Sequence, residues 1–271
     1  MTTGASGPEA EQSSPLDASV PHAPRIWNYW LGGKDNFAAD REVGDQMARM
    51  YPDIVELARA DRAFLGRAVR YLAAEAGVRQ FLDIGTGLPT ANNTHEIAQR
   101  VAPDSKIVYV DNDPLILTHA RALLVGSLPG TTDYISADLH EPGKILHEAA
   151  RTLDFSQPVA IMLLGVLIYI DDTDEAYRIV AQLMDAVPSG SYLVIAHSTS
   201  EVKGAATEQV VAMRNARVKP AMTLRSGQQI TRFFDGLDLL EPGVISCTRW
   251  RPDTDGAEPE VDEFCGIARK P

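Results

Sequence analysis

The chain has 271 residues, with 25 Lys and Arg against 37 Asp and Glu, for a formal net charge of −12. That balance excludes a surface built throughout to track phosphate backbones, and two cysteines, Cys247 and Cys265, exclude a disulfide framework; a single bridge between them is the most that is available. At 45% apolar residues there is material for one large core, yet no apolar run reaches the ~18–20 residues of a membrane span. Residues 1–20 are rich in Gly, Ser, Pro, Ala and Glu and are expected to form a disordered tail. They begin MTTGASGPEAEQSSP, without the basic and apolar regions of a secretory signal, so a soluble cytoplasmic protein with two buried thiols is expected. At Pro21 the texture changes. PHAPRIWNYWLGGKDNF gathers Trp27, Tyr29 and Trp30, an aromatic density that calls for a surface to dock on. A helix is predicted over Ala38–Met50 and another over Asp53–Ala76, where Ile54, Leu57, Ala58, Phe64, Leu65, Ala68, Val69 and Leu72 keep a helical rhythm and Gly77 marks the stop.

From Arg79 onward strand, loop and helix alternate. QFLDI, KIVYVD and DYISAD are predicted strands, with a helix over Pro114–Val125 before the third. PVAIMLLGVLIYI begins as a strand buried on both faces, Asp174–Val187 is a predicted helix, and SYLVIAH is the fifth strand. The spacing implies βαβ units and an α/β doubly wound, mostly parallel sheet. At the end, LDLLEPGVISCTRW and DEFCGIARK flank an acidic loop (DTDGAEPEVDE) with no helix between them, a hairpin that places one antiparallel strand in the sheet. The expected organisation is a tail (1–20), a helical extension acting as a lid (21–78) and a ligand-binding domain (79–271).

The segment Phe81-Leu82-Asp83-Ile84-Gly85-Thr86-Gly87 ends an apolar strand in an acid and a Gly-x-Gly turn, which lets a ligand approach the main chain. A pyrophosphate would be repelled by Asp83, whereas an ammonium or sulfonium would be attracted. Asp111 ends the second strand, where it can accept from ribose hydroxyls, and Asp138 ends the third, where it can accept from an adenine amine. One such aspartate is most simply a cap; three together converge on the crevice where doubly wound sheets bind ligands.

FLDIGTG, VYVDNDP and ISADLHEP, in this order, resemble the motifs of class I S-adenosylmethionine-dependent methyltransferases. RIWNYWLGGKDNFAADR, DIGTGLPTANNTHE and VDNDP are together similar to a bacterial family of such enzymes with unassigned substrate, formerly a domain of unknown function. The resemblance implies a Rossmann-like, seven-stranded sheet with an antiparallel last strand, and S-adenosylmethionine as cofactor. It also implies that Asp83, Gly85, Thr86 and Gly87 line the methionine end, Asp111 and Asn112 the ribose, Asp138 and Leu139 the adenine, and Gly165 and Val166 the sulfonium. One departure stands out: Leu88-Pro89 replaces the usual third glycine, and Asn93 with Glu96 at capping-box spacing marks the helix start. The longer loop is expected to bring Asn92, Asn93 and His95 toward the site.

Around Trp30, the residues Tyr29, Gly32, Gly33, Lys34, Asp35 and Asn36 combine stacking surface with polar tips and are expected to form a lid over cofactor and acceptor; the alternative is an arm whose aromatics only pack. Arg25 and Arg62 are either anion-binding groups or partners of nearby acids. His95 and His197 are the candidate general bases and Tyr169 a candidate for orienting the acceptor, each with a plain structural role as the alternative. His22, His119, His140 and His147 lack metal-ligand spacing, so no metal is expected. With no Asn-Pro-Pro-Tyr-like motif after the fourth strand and no basic stripe, a small-molecule acceptor of secondary metabolism is expected, with neither nucleic acid nor membrane as partner and the oligomeric state open. EQVVAMRNARVK is predicted to be an amphipathic helix in the acceptor region. Two rivals remain: a non-catalytic cofactor-binding sensor or partner-binding protein, and a nicotinamide-dependent oxidoreductase.

Overall fold

A computed structural model describes residues 17–89, 92–116, 132–253 and 258–271. Most of the expected tail, most of the helix expected over Pro114–Val125 and the middle of the acidic loop lie outside the described residues. Three helices come first: α1 (Ala23–Trp30), α2 (Ala38–Met50) and α3 (Ile54–Ala74). Pro24 stands in the first turn of α1, where a missing N–H costs no helical bond. The Asp40 carboxylate reaches back to the Phe37 N–H at 2.8 Å and starts α2. Gly77, at φ +70°, turns the chain out of α3 as its position predicted.

Then follow β1 (Gln80–Ile84), α4 (Thr94–Val101), β2 (Lys106–Asp111), β3 (Thr132–Ser136), α5 (Pro142–Ala149), β4 (Ala160–Leu164), a 3₁₀ turn (Leu167–Tyr169), α6 (Thr173–Asp185) and β5 (Tyr192–Ser198). The chain closes with α7 (Ala205–Asn215), α8 (Gly227–Arg232), β6 (Asp238–Leu239), β7 (Ile245–Ser246) and β8 (Glu263–Arg269). The sheet runs β3-β2-β1-β4-β5-β8-β6, with β7 also paired to β8. β1 to β5 are parallel and β8 is antiparallel to its neighbours, so the fold is the expected Rossmann-like one. One strand is corrected. The single sixth strand expected through LDLLEPGVIS is two short ones, because Gly243, at φ +87°, donates its N–H to the Leu240 carbonyl (2.8 Å) and makes a turn. The sheet therefore has eight strands among the described residues rather than seven.

Strand alternation decides what each side chain meets. Phe81, Ile107, Tyr109, Met162, Val194, Ala196 and Cys265 face the layer of α3 and α4; Leu82, Ile84, Val108, Val110, Ile161, Leu193 and Ile195 face α5 and α6. Phe64, Val69 and Leu72 of α3 are fully buried, each contributing about 1.5–3 kcal/mol of burial free energy. Arg67 of α3 also donates to the carbonyls of Trp250 (2.9 Å) and Cys247 (2.5 Å), which ties this helix to the chain leading into β8. Cys247 and Cys265 are both free thiols and both buried.

Candidate active site

A cavity of about 930 Å³ opens above the carboxyl ends of β1, β2, β4 and β5, on the α3 side, and is roofed by α1 and α7. Its size falls in the range of small-molecule sites. All eleven residues expected to hold a cofactor line it: Asp83, Gly85, Thr86, Gly87, Asn93, Asp111, Asn112, Asp138, Leu139, Gly165 and Val166.

The glycines explain the cradle. A Cβ on Gly85 would collide with the Val166 side chain, so the turns after β1 and β4 meet only because Gly85 has none. At Gly87 and Gly165, with φ of +64° and +68°, nothing lies within 4 Å of where a Cβ would stand, and the bare backbone opens onto the cavity. Asp111 fixes the first turn, its Oδ2 accepting from the Gly87 N–H and its Oδ1 from the Asp113 N–H, each at 3.0 Å. Asn112 Nδ2 donates to Asp138 Oδ2 at 2.8 Å and joins the ends of the second and third strands. Thr94 Oγ1, in the first turn of α4, donates to Asp83 Oδ2 at 2.6 Å. That helix starts where the capping spacing predicted, with Glu96 Oε2 accepting from the Asn93 N–H at 2.8 Å.

Burial pushes both Asp83 and Asp111 up to about 6, against the Thr94 hydroxyl and the Arg62 charge for the former and backbone N–H donors for the latter. Asp138 is opposite: burial raises it, but hydrogen bonds from His140 and Asn112 prevail and hold it below its ordinary value. Carboxylates strained by burial in this way favour ligands that bring positive charge and hydroxyl donors.

The amino-terminal arm closes one side. Arg25 and Asp40 form a buried ion pair (2.9 Å), and Arg25 also donates to the carbonyls of Asp17 (3.0 Å) and Val20 (2.6 Å). His22 Nε2 stands 2.7 Å from Asp113 Oδ2, spanning from the start of α1 to the loop after β2. Arg25 thus has a nearby acid as its partner, and Arg62 donates to the Asn92 carbonyl (3.0 Å) and Asn93 Oδ1 (3.1 Å), bracing the long loop. Of the expected lid aromatics Trp30 lines the cavity, but Tyr29 turns away and donates to Asp45 at 2.8 Å. Lys34, Asp35 and Asn36 do not line it either. Asn28, which does, accepts from the Asp35 N–H (3.0 Å) and Asn36 Nδ2 (3.1 Å) and folds that turn back on α1. Within this arm, His22, Trp27 and Asn28 also line the cavity, which the sequence did not reveal.

The catalytic candidates divide. Tyr169 lines the cavity. His95 does not: its N–H donates to Tyr109 Oη (2.8 Å), and its Nδ1 meets the same hydroxyl at 2.9 Å. His197 is corrected outright. Odd positions of β5 face α6 and α8, so His197 stacks near Phe233 on the far side of the sheet. Its Nδ1 donates to the Ser198 carbonyl (2.8 Å), its Nε2 accepts from Arg225 (2.8 Å), and burial lowers it to about 3, so it stays neutral and occupied. The same alternation sends Ser198 into the cavity with Glu263, its register partner on β8. Asp61, Arg214 and Asp262 also line it. The signal for Ser198 was present in the even–odd pattern of SYLVIAHS; those for Asp61 and Glu263 needed the tertiary fold.

Among the described residues, no group of His, Cys, Asp and Glu could hold a metal ion, and no helix is long and apolar enough to cross a membrane. The family model described as S-adenosyl methyltransferase matches residues 9–271. A DUF574 family protein from Streptomyces avermitilis is 43% identical, with 94% of this chain and 99% of that chain covered and a TM-score of 0.89. A candidate methyltransferase from Thermobifida fusca is 39% identical, covering 97% of this chain and 99% of that one at a TM-score of 0.88. Magnesium protoporphyrin IX methyltransferase from Synechocystis PCC 6803, solved with S-adenosylhomocysteine bound, shares the fold at 12% identity and a TM-score of 0.53, over 91% of this chain and 93% of that one. No curated protein matches the chain.

Proposed function

Because the chain belongs to the S-adenosyl methyltransferase family, an S-adenosylmethionine-dependent enzyme class, we propose that its acceptor is a small molecule bound beside the cofactor in this same cavity. The observation that carries this reading is the continuity of that cavity. Beyond the cofactor cradle it extends between α3, α7 and the ends of β5 and β8, lined by Leu57, Ile168, Tyr169, Val210 and Met222. Such an apolar recess under a helical roof fits a compact ligand better than a polymer.

The residues present fit the cofactor: open backbone at Gly87 and Gly165, and acids at the ends of β1 and β2 and just beyond β3. Asp83 would take the amino group of its methionine part, Asp111 and Asn112 the ribose hydroxyls, Asp138 and Leu139 the adenine, with Gly165 and Val166 beneath the sulfur. The cofactor, when bound, supplies an electrophilic methyl group. The protein's own contribution is alignment and exclusion of water. Tyr169 orients the acceptor, and the arm from residue 17 through Trp30 serves as the lid, with Trp27 and Trp30 closing the roof. A nicotinamide cofactor is not favoured, since Asp83 would face its pyrophosphate. The proposed setting is secondary metabolism in the cytoplasm, in keeping with two free, buried thiols.

The test supplies methyl-labelled S-adenosylmethionine together with an ultrafiltered metabolite extract, duplex DNA, total RNA or protein. Label confined to the ultrafiltrate supports the reading; label on a macromolecule contradicts it.

A further inference from the structure

The acceptor end of the cavity contains carboxyl groups that the fold does not use. Glu263 is 2% exposed, yet among the described residues its side chain takes one hydrogen bond, from Ser198 Oγ to Oε2 at 2.6 Å. Asp61, on α3, lines the cavity, and its Oδ1 is buried with no hydrogen-bond donor. Their neighbour Asp262 shows what a structural carboxylate looks like here: it accepts from the N–H groups of Val202 (2.7 Å) and Lys203 (3.1 Å) and from the Thr207 hydroxyl. Asp61 and Glu263 have no such set.

Nearby charges offset this only in part. The Arg62 charge lowers Asp61, but its guanidinium donates to the Asn92 carbonyl and Asn93 Oδ1, Asp83 at the end of β1 adds repulsion, and burial outweighs the Arg62 attraction. Arg214 points to the carbonyls of Val218 and Pro220 and covers the Tyr169 ring, and it forms no ion pair with either carboxyl among the described residues. Burial pushes both carboxyls up, and Asp61 pushes Glu263 higher still. Two under-bonded carboxyls lining the cavity carry a desolvation cost that an entering cation offsets. Asp83, Asp61 and Glu263 all line this cavity, Asp83 at its cofactor end and Glu263 beside Ser198 at the ends of β8 and β5.

We propose that the methyl acceptor is a basic amine, its ammonium group held between Asp61 and Glu263 and its apolar body against Leu57, Ile168 and Val210. This rests on the methyltransferase reading above and names the acceptor class for that same site. One N–H proton of the ammonium passes to a carboxylate oxygen of Asp61. The nitrogen lone pair so freed forms the N–C bond to the methyl carbon while the C–S bond breaks and its electron pair stays on sulfur. The products are an N-methylammonium ion and a thioether, and Asp61 returns its proton to solvent. Asp61 is thus the base, and Glu263, steadied by Ser198, selects for positive charge.

The test uses the full chain saturated with S-adenosylhomocysteine and titrated with 2-phenylethylamine, its neutral isostere 2-phenylethanol and the anion 3-phenylpropanoate, with weak binding read by saturation-transfer NMR. The amine is expected to bind at least about tenfold more tightly than either isostere. Glu263→Gln is expected to abolish that preference while S-adenosylhomocysteine affinity, the check on folding, holds. Asp61→Asn is expected to reduce it and to lower the rate of amine methylation. Equal binding of amine and alcohol, or an undiminished preference in Glu263→Gln, would overturn the amine assignment alone. Failure of S-adenosylhomocysteine to bind would overturn the methyltransferase reading, and the amine with it.

Discussion

Asp111 is held by two backbone N–H donors and still sits near 6 because burial outweighs them. The sign of its pH effects follows. Its folded value exceeds the ordinary 3.8, so between the two the folded chain binds more protons, and the ligand-free protein loses stability as pH rises through that window. A ligand donating to the ionised carboxylate reverses the preference. S-adenosylhomocysteine should therefore bind more weakly as pH falls through 6, by up to about tenfold per unit for each such group. Calorimetric titrations from pH 5 to 8 check this, and a flat affinity would contradict it. Gly85→Ala is the steric counterpart: a Cβ at φ +78° would strike Val166, so a loss of about 1–3 kcal/mol in stability is expected by urea unfolding, together with weaker cofactor binding. At this scale, Asp83, Gly85, Asp111 and Asp138 were legible because each belongs to a short strand-to-loop motif. Asp61 and Glu263 were not, since what surrounds them comes from distant parts of the chain; Ser198, the partner of Glu263, is 65 residues away.

The helices and strands were mostly legible where their periodicity was long. α2 spans the predicted residues, and α3 begins and ends within two of them. Of the aromatic cluster, Trp30 lines the cavity as expected and Tyr29 does not: Trp27 and Trp30, three residues apart, share one face of α1, and Tyr29 falls off it toward Asp45. The sixth strand broke because Gly243, after Pro242, makes a turn inside LDLLEPGVIS, and that Pro-Gly turn signal stands in the sequence. The arm itself hangs on Arg25 and Asp40, which are 3% and 0% exposed. Asp40→Asn should leave Arg25 buried without its direct ion-pair partner and cost about 3–5 kcal/mol by urea unfolding. A loss below 1 kcal/mol would deny the pair that role. Deleting residues 1–16 should leave S-adenosylhomocysteine binding intact, whereas deleting through Asn36, or Trp27→Ala alone, should loosen it. If all three bind as the full chain does, α1 is not a lid.

Across the molecule the two faces of the sheet have different tasks. The α3 face carries the cavity and its strained carboxyls; the α5–α6 face carries the closed core and neutral His197. His197 is lowered from 6.5 to about 3, so the unfolded chain binds its proton first as pH falls. Stability from this group should be complete above 6.5 and decline toward 3, by at most about 1.4 kcal/mol per unit. In urea unfolding at pH 5 and 7, His197→Asn should lose less on acidification than the natural chain, and an equal loss would contradict the assignment. Ligand occupancy should act on the whole fold as well: at a hundredfold excess over its dissociation constant, S-adenosylhomocysteine should add about 2.7 kcal/mol. The alternation of strands and helices made the sheet legible from the sequence, but the cavity's second half was not, because it forms only when α3, β5 and β8 come together.

The central claim is that the cofactor lies across the acids at the ends of the first three strands. Calorimetric titration of the natural chain and of Asp111→Ala with S-adenosylhomocysteine, with NAD in parallel, tests it most directly. Binding to the natural chain, a loss of about 1.5–3 kcal/mol in Asp111→Ala and no heat from NAD are predicted. Equal affinity in the two proteins, or binding of NAD alone, would contradict it.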